Sequence, residues 1–93
     1  MQEVVPMENR WNVEVTFEED GTRTAATARL TGPNAPDCVG HGYSRRNPHD
    51  KPEPKIGEEV ATARALSNLA HELLEKAAAD IEAVTHQEAH LHA

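Results

Sequence analysis

The sequence predicts an α+β fold in which a three-stranded antiparallel sheet precedes one long C-terminal helix. Three observations support this prediction. Apolar residues alternate with polar ones over residues 11–18, they recur every three or four positions over residues 58–86, and a proline-rich segment separates the two patterns. A period of two is typical of a strand, and a period near 3.6 is typical of a helix. The predicted element order is therefore β-β-β-α.

The first two predicted strands form a hairpin. In WNVEVTFE, residues 11–18, the apolar side chains share one face and the polar side chains share the other, which predicts a half-buried strand. Gly21 ends an acidic EDG turn and accepts the positive φ that tight hairpin turns need. The threonine-rich segment TRTAATARL, residues 22–30, supplies the second strand.

The third predicted strand contains two glycines. In CVGHGYS, residues 38–44, Gly40 and Gly42 lie on one face, and larger side chains, His41 among them, lie on the other. Glycines inside a strand are typical of a bulge or of a close approach by another backbone. We expect the helix to lie across these glycines, and we expect His41 to be half-buried and hydrogen-bonded.

A flexible loop is predicted at residues 45–56, RRNPHDKPEPKI. Proline lacks a backbone donor and restricts the residue before it, so neither a strand nor a helix continues through three prolines. Residues 1–10 and 87–93 are predicted tails on either side of a single domain at residues 11–86.

The predicted helix has one amphipathic stripe. The stripe consists of Val60, Ala63, Leu66, Leu69, Ala70, Leu73, Ala77, Ile81 and Val84. A helix over residues 58–86 would extend roughly 43 Å, whereas an eight-residue strand covers about 27 Å. Three alternatives stay open: the helix overhangs the sheet, it bends near residues 77–80, or it meets another subunit.

Composition favours a soluble cytoplasmic protein. The 93 residues include 16 Asp and Glu against nine Lys and Arg, and this net charge of -7 disfavours polyanions unless a basic face is segregated. No run of about 18 apolar residues predicts a membrane span, and MQEVVPMENR does not have the order of a signal peptide. The single cysteine, Cys38, cannot form an internal disulfide, which fits a reducing compartment.

Three segments resemble a family of short actinobacterial proteins, the domain of unknown function number 1876. These segments are ARLTG at 28–32, VGHGYSRRNP at 39–48 and IGEEVATARALSNLAHELLEKAAADIEAVTH at 56–86. The resemblance covers roughly residues 11–88. It implies a β-β-β-α fold likened to the double-stranded-RNA-binding domain without its first helix, and it implies no biochemical activity.

Duplex-RNA binding is disfavoured at all three regions that such domains use. They contact RNA with a first helix, the first hairpin loop and the start of the last helix. Here residues 1–10 are too short for that helix, and the loop EEDG is acidic. Glu58 and Glu59 lie where phosphate-binding lysines are needed, and their carboxylates compete with phosphate for the helix N-terminus.

The proline-rich loop contains candidate anion contacts. These are Arg45, Arg46, Lys51 and Lys55. Carboxylates interleave with them, so the patch would be weak and strongly screened by salt, and a solvated connector is the favoured interpretation. The alternative is a nucleic-acid accessory domain that combines this loop with Arg23 and Arg29 on the open sheet face.

Neither a metal site, a cofactor nor a catalytic centre is predicted. His86 and His90 have i, i+4 spacing and His92 follows, but tail histidines are usually free in water. HELLE, residues 71–75, lacks the second histidine of the zinc-protease helix motif. Cys38 has no activating base near it in the sequence, and a thiol without one is inert. We therefore expect that the protein is not an enzyme.

The long helix predicts a protein interface. Its apolar stripe is larger than a three-stranded sheet can cover, and a twofold homodimer is the commonest way to bury such a surplus. Another protein is the alternative partner. The predicted interface residues are Leu69, Leu73, Leu74, Ile81 and Val84.

Overall fold

A computed structural model of the chain describes residues 8–46, 53–86 and 88–91. Its elements are β1 (Asn12–Glu19), β2 (Arg23–Thr31), β3 (Val39–Arg45) and α1 (Pro54–Thr85). The strands form one antiparallel sheet in the order β1-β2-β3. The predicted α+β class and β-β-β-α order are confirmed, and each strand begins one residue later than predicted.

The turn between β1 and β2 is held by the carboxylate of Asp20. Its Oδ1 accepts hydrogen bonds from the backbone N–H of Arg23 at 2.9 Å and of Thr22 at 3.1 Å. These backbone bonds, that of Arg23 first and that of Thr22 next, lower the pKa of Asp20. Gly21 has a φ of 95° at the tip of the turn, as its position predicted.

The helix α1 lies directly on β3, where the two glycines predicted a close approach. A Cβ added to Gly40 would lie under 3.0 Å from backbone atoms of Ala65 and Leu69, and one added to Gly42 would lie equally close to the backbone of Ala61 and Ala65. Ordinary Cβ contacts are 3.4–4 Å. Glycine is therefore required at both positions if helix and strand are to stay at this separation.

The core consists mainly of small side chains from β2 and α1. It contains Ala26, Ala28, Leu30, Cys38, Ala61, Ala65 and Leu69. Over the sheet, the predicted helix stripe is wrong at Ala63, Leu66 and Ala70, which are exposed. The reason is the close approach to β3, which α1 makes with Ala61, Ala65 and Leu69, residues four apart on one face of the helix, so that the other stripe residues point away from β3.

The helix begins earlier and extends farther than the sheet requires. It starts at Pro54, where a missing N–H and a fixed φ suit the first turn of a helix, so the predicted loop at 45–56 is shorter at both ends. Its buried residues all lie between Ala61 and Leu69, and His86 ends it with a φ of 58°. The second half of α1 therefore overhangs the sheet, which is one of the three alternatives that the sequence left open.

Candidate interaction surface

The outer edge of β3 is closed by side chains of α1. The backbone N–H of His41 donates to Asn68 Oδ1 at 2.8 Å, and Arg64 Nη1 donates to the carbonyl oxygen of Tyr43 at 2.7 Å. Both backbone groups belong to residues whose N–H and C=O point away from β2, because hydrogen-bonded and non-hydrogen-bonded pairs alternate along an antiparallel ladder. A second strand cannot pair here without displacing these two side chains.

The outer edge of β1 is not closed by any described part of the chain. The N–H of Asp20 donates to the carbonyl oxygen of Arg23, so Asp20 and the even-numbered residues of β1 direct their backbone groups toward β2. Because inward and outward residues alternate along an antiparallel strand, the odd-numbered residues of β1 direct their N–H and C=O groups outward. These outward residues are Val13, Val15, Phe17 and Glu19. Within the described ranges, no other strand pairs with this edge.

The same strand has an apolar face that α1 does not cover. Val13, Val15 and Phe17 lie directly opposite core residues of β2, so their side chains point to the helix side of the sheet. Yet Val13 is 43% exposed and Phe17 is 40% exposed, and only Val15 packs against the core. The helix therefore covers this side of the sheet over β2 and β3 but not over β1.

One flank of α1 extends this apolar face. Arg64 and Asn68 lie on the flank above the β3 edge, and with 3.6 residues per turn Leu66 and Leu73 lie on the opposite flank, toward β1. Leu66 is 42% exposed, and Leu73 packs against the edge of the core. We call the set formed by Val13, Val15, Phe17, Leu66 and Leu73 the β1 surface.

The interface residues predicted from the sequence are only partly available to a partner. Leu69 is 3% exposed inside the core, so its assignment to an interface is wrong. Leu73 lies on the β1 surface and Leu74 is half-buried. Ile81 and Val84 are 40% and 80% exposed on the overhanging half of α1. Sequence reasoning missed Val13 and Phe17, because strand alternation alone placed both of them in the core.

The predicted anion contacts do not come together. Arg45 lies opposite Arg23 on the open sheet face, whereas Arg46 Nη2 donates to the carbonyl of Gly21 at 3.3 Å. Lys55 is exposed in the first turn of α1, and Lys51 lies outside the described residues. Consecutive strand residues point to opposite faces, which is why the two adjacent arginines separate.

The open sheet face combines a few cations with polar and aromatic side chains. The guanidinium of Arg23 lies over the Tyr43 ring, 4.1 Å from its centroid, and Arg29 is 3.6 Å from the carboxylate of Asp37. A shallow concavity of about 480 Å³ on this face includes Thr16 and His41 in its lining. The His41 side chain is exposed, so the prediction that it is half-buried is wrong.

The tail histidines do not converge. His86 forms the left-handed C-cap of α1, His90 Nε2 is 3.0 Å from a Glu88 carboxylate oxygen, and His92 lies outside the described residues. In the part of the chain that the structure describes, no three His, Cys, Asp or Glu side chains form a group that could hold a metal ion. None of the described helices is long and apolar enough to cross a membrane.

Comparison with known proteins identifies relatives over nearly the whole chain. Residues 9–90 match the model of the Rv2632c-like family. The chain is 44% identical to the uncharacterized protein Mb1767 of Mycobacterium bovis, over 87% of this chain and 85% of that protein. It is 47% identical to the uncharacterized protein Rv2632c of Mycobacterium tuberculosis, over 81% of this chain and 80% of that protein.

A solved structure supports the fold independently of the sequence match. The crystal structure of Rv2632c aligns with a TM-score of 0.73 at 43% identity, covering 92% of this chain and 99% of that one. These relatives agree with the predicted actinobacterial family of unknown function, while the family number 1876 and the likeness to double-stranded-RNA-binding domains stay predictions. The chain belongs to the Rv2632c-like family.

Proposed function

We propose that the protein is a non-catalytic self-assembly module, which forms a homodimer by pairing β1 of one copy with β1 of a second copy. The observation that supports this function is the coincidence, on one strand, of an edge with which no described strand pairs and an apolar face that no described element covers. An open edge strand is a template for another chain. Strand addition supplies main-chain hydrogen bonds for affinity and side-chain contacts for specificity.

The strand β1 lacks most of the features that keep edge strands from pairing, and its only charges are the three glutamates Glu14, Glu18 and Glu19. Its sequence, NVEVTFEE, contains no lysine and no proline. Its register with β2 runs without a bulge through eight residue pairs, from Asn12 and Thr31 to Glu19 and Thr24. Natural edge strands are usually protected by lysines, prolines or bulges, so an edge without any of the three favours a partner strand.

The asymmetry of the two sheet edges favours a closed dimer over a longer assembly. Pairing of β1 with β1 around a twofold axis uses the open edge of both copies at once. The edges that then lie outermost belong to β3, and Asn68 and Arg64 already bond to its backbone. Growth therefore stops at two copies.

The position of Cys38 supports the non-catalytic part of the proposal. Its side chain is 6% exposed within a cluster of alanine and leucine residues. A thiol buried among apolar side chains is not accessible to a substrate.

Molar mass in solution, from size-exclusion chromatography with light scattering, tests the dimer. The wild-type protein should have about twice the 10.2 kDa mass of one chain. Phe17→Lys introduces a charge on the helix side of β1, so it should give a monomer with unchanged far-ultraviolet circular dichroism. The matched control is Val84→Lys, at a side chain 80% exposed on the overhang, which should stay dimeric.

Two results would overturn the assignment to β1. One is a wild-type protein with the mass of one chain. The other is a dimer that survives Phe17→Lys but dissociates on Leu74→Glu, because that pattern would assign the interface to the helix stripe that the sequence predicted.

A second candidate function uses the open sheet face to bind nucleic acid. Arg23 and Arg45 lie directly opposite each other there, and like charges in that arrangement are destabilising unless an anion lies between them. Glu14 and Glu18 on the same face oppose such binding. Titration of a fluorescent duplex at low and moderate salt tests it, because phosphate contacts make affinity fall steeply with salt; no salt-sensitive binding would eliminate this candidate.

A further inference from the structure

The register of the proposed β1–β1 pairing is restricted by the structure, and this inference rests on the proposed homodimer. We infer that the twofold axis passes between the two copies of Val15, which lie directly opposite each other; we call this the Val15 axis and name other positions of the axis in the same way. Val13 of one copy then lies opposite Phe17 of the other. The two sheets then join into one six-stranded sheet in the order β3-β2-β1-β1-β2-β3.

The hydrogen-bond pattern of β1 supplies the first restriction. Only the odd-numbered residues of the strand direct their N–H and C=O groups outward. In an antiparallel pair, outward groups of one strand must meet outward groups of the other. A twofold axis near the middle of the strand that satisfies this condition passes through Val13, Glu14, Val15, Thr16 or Phe17.

Charge eliminates three of these five positions, because like charges directly opposite each other destabilise a strand pair. An axis through Glu14 places this carboxylate opposite its own copy. An axis through Thr16 places Glu14 opposite Glu18 of the second copy. An axis through Phe17 places Glu14 opposite Asp20 of the second copy, at the start of the turn.

The two remaining positions differ in what they do with the apolar side chains. An axis through Val13 places Phe17 opposite Asn9 of the second copy, beyond the end of its β1. An axis through Val15 places Phe17 opposite Val13 of the second copy. Apolar pairs directly opposite each other on one face stabilise a sheet, so the second arrangement is favoured.

The Val15 axis also places each carboxylate of the strand interior opposite a neutral side chain. Glu14 lies opposite Thr16 of the second copy, and Glu18 lies opposite Asn12 of the second copy. Residues directly opposite each other point to the same face, so both α1 helices lie on one side of the joined sheet. The β1 surfaces of the two copies then form one continuous apolar strip between the helices.

Cysteine cross-linking on the open face tests this register without changing the apolar strip. Glu14 and Thr16 are both exposed and point away from α1, so Glu14→Cys and Thr16→Cys leave the core untouched. With the axis at Val15, position 14 faces position 16 in a non-hydrogen-bonded pair with a Cα separation of about 4.5 Å. Disulfides span about 4.4–6.8 Å between Cα atoms.

In a dimer of a single variant, the two copies of the new cysteine do not lie directly opposite each other in this register. Position 14 of one copy and position 14 of the other are diagonal neighbours about 7–8 Å apart, and position 16 has the same relation to its copy. Each single variant should therefore give little cross-linked product under a mild oxidant. A mixture of the two variants, unfolded and refolded together, should give a band at about twice the 10.2 kDa chain mass on a non-reducing gel.

Each other outcome overturns the inferred register in a recognisable way. Cross-linking of Glu14→Cys alone assigns the axis to residue 14, and cross-linking of Thr16→Cys alone assigns it to residue 16. A mixture that does not cross-link, although light scattering shows a dimer, refutes the register and leaves the homodimer standing. A monomeric mass refutes both. The wild-type protein, in which Cys38 is buried, is the control for unspecific oxidation.

Discussion

Gly40 is the position at which one added methyl group tests how α1 sits on the sheet. In Gly40→Ala, the new Cβ would lie under 3.0 Å from three backbone atoms of Ala65 and Leu69. A backbone cannot rotate out of the way as the end of a side chain can. The helix must therefore rise, by about 1 Å if the contacts are to return to ordinary van der Waals distances.

The expected loss of stability follows from that rise. A gap of about 0.5–1 Å removes a quarter to a half of the dispersion energy of each contact that it opens, and the core side chains Ala61, Ala65 and Leu69 all face the gap. Overpacking costs about 1–3 kcal/mol, a clash with three backbone atoms belongs at the upper end of that range, and alanine regains about 0.5–1 kcal/mol over glycine within a strand. We expect the free energy of unfolding to fall by about 2 kcal/mol.

Urea unfolding followed by far-ultraviolet circular dichroism measures this loss. With a denaturant slope of about 1–2 kcal/mol/M for a chain of this size, the midpoint should fall by about 1–2 M. All variants are compared at one protein concentration, because the stability of a dimer depends on it. Gly57→Ala is the matched control. Its Cβ would lie 2.9 Å from Oγ1 of Thr24, a tight contact with one side-chain atom instead of three backbone atoms, and alanine favours the helix by about 1 kcal/mol.

A double variant tests the cause of the loss as well as its size. Gly42→Ala would clash with the backbone of Ala61 and Ala65 in the same way. One rise of α1 relieves both clashes, so Gly40→Ala and Gly42→Ala together should destabilise by clearly less than the sum of the single effects. A Gly40→Ala midpoint equal to that of Gly57→Ala would refute the close contact itself.

Three further outcomes are expected. Thr16→Lys should tighten the proposed dimer and Thr16→Glu should loosen it, because the inferred Val15 axis places this residue opposite Glu14 of the second copy, and such a charge pair contributes about 0.2–1 kcal/mol. The measurement is the dissociation constant on dilution. The backbone hydrogen bonds of the turn lower the folded-state pKa of Asp20. The stability that this carboxylate supplies is therefore complete above its ordinary pKa of 3.8 and is lost as pH falls through the lowered value. Unfolding curves measured across that pH range should show a smaller loss of stability for Asp20→Asn than for wild type. Asn68→Ala should reduce stability by about 1 kcal/mol and speed hydrogen exchange at the His41 amide, whose acceptor it removes.

The local elements were predictable because their signals lie within a few residues of each other. Alternation over 11–18 predicted β1, and the EDG sequence predicted a turn with positive φ at Gly21. The paired glycines of β3 predicted a helix across that strand, and the close approach at Gly40 confirms it. Each of these signals depends on backbone sterics, which operate in the same way whatever the rest of the chain does.

The phase of α1 and the exposure of β1 were not predictable in the same way. Hydrophobic periodicity gives most weight to large side chains, so it selected Leu66 and missed Ala61 and Ala65. The signal that could have found them is two alanines four residues apart, facing two glycines two residues apart. The bonds that close the β3 edge join residues far apart in sequence, such as His41 and Asn68. They depend on the angle between helix and strand, which no local pattern specifies.

The uncovered face of β1 follows from the width of a helix and the position of the glycines. A helix with its side chains is about 10 Å across and neighbouring strands are about 4.8 Å apart, so one helix covers two strands of three. Gly40 and Gly42 lie in β3, and they place α1 above the strand farthest from β1. With the same glycines in β2, the helix would be centred on the sheet and would shield part of Val13 and Phe17. The contact that holds α1 on the sheet therefore also determines which strand is left open, and no other described part of the chain covers the apolar residues on that strand.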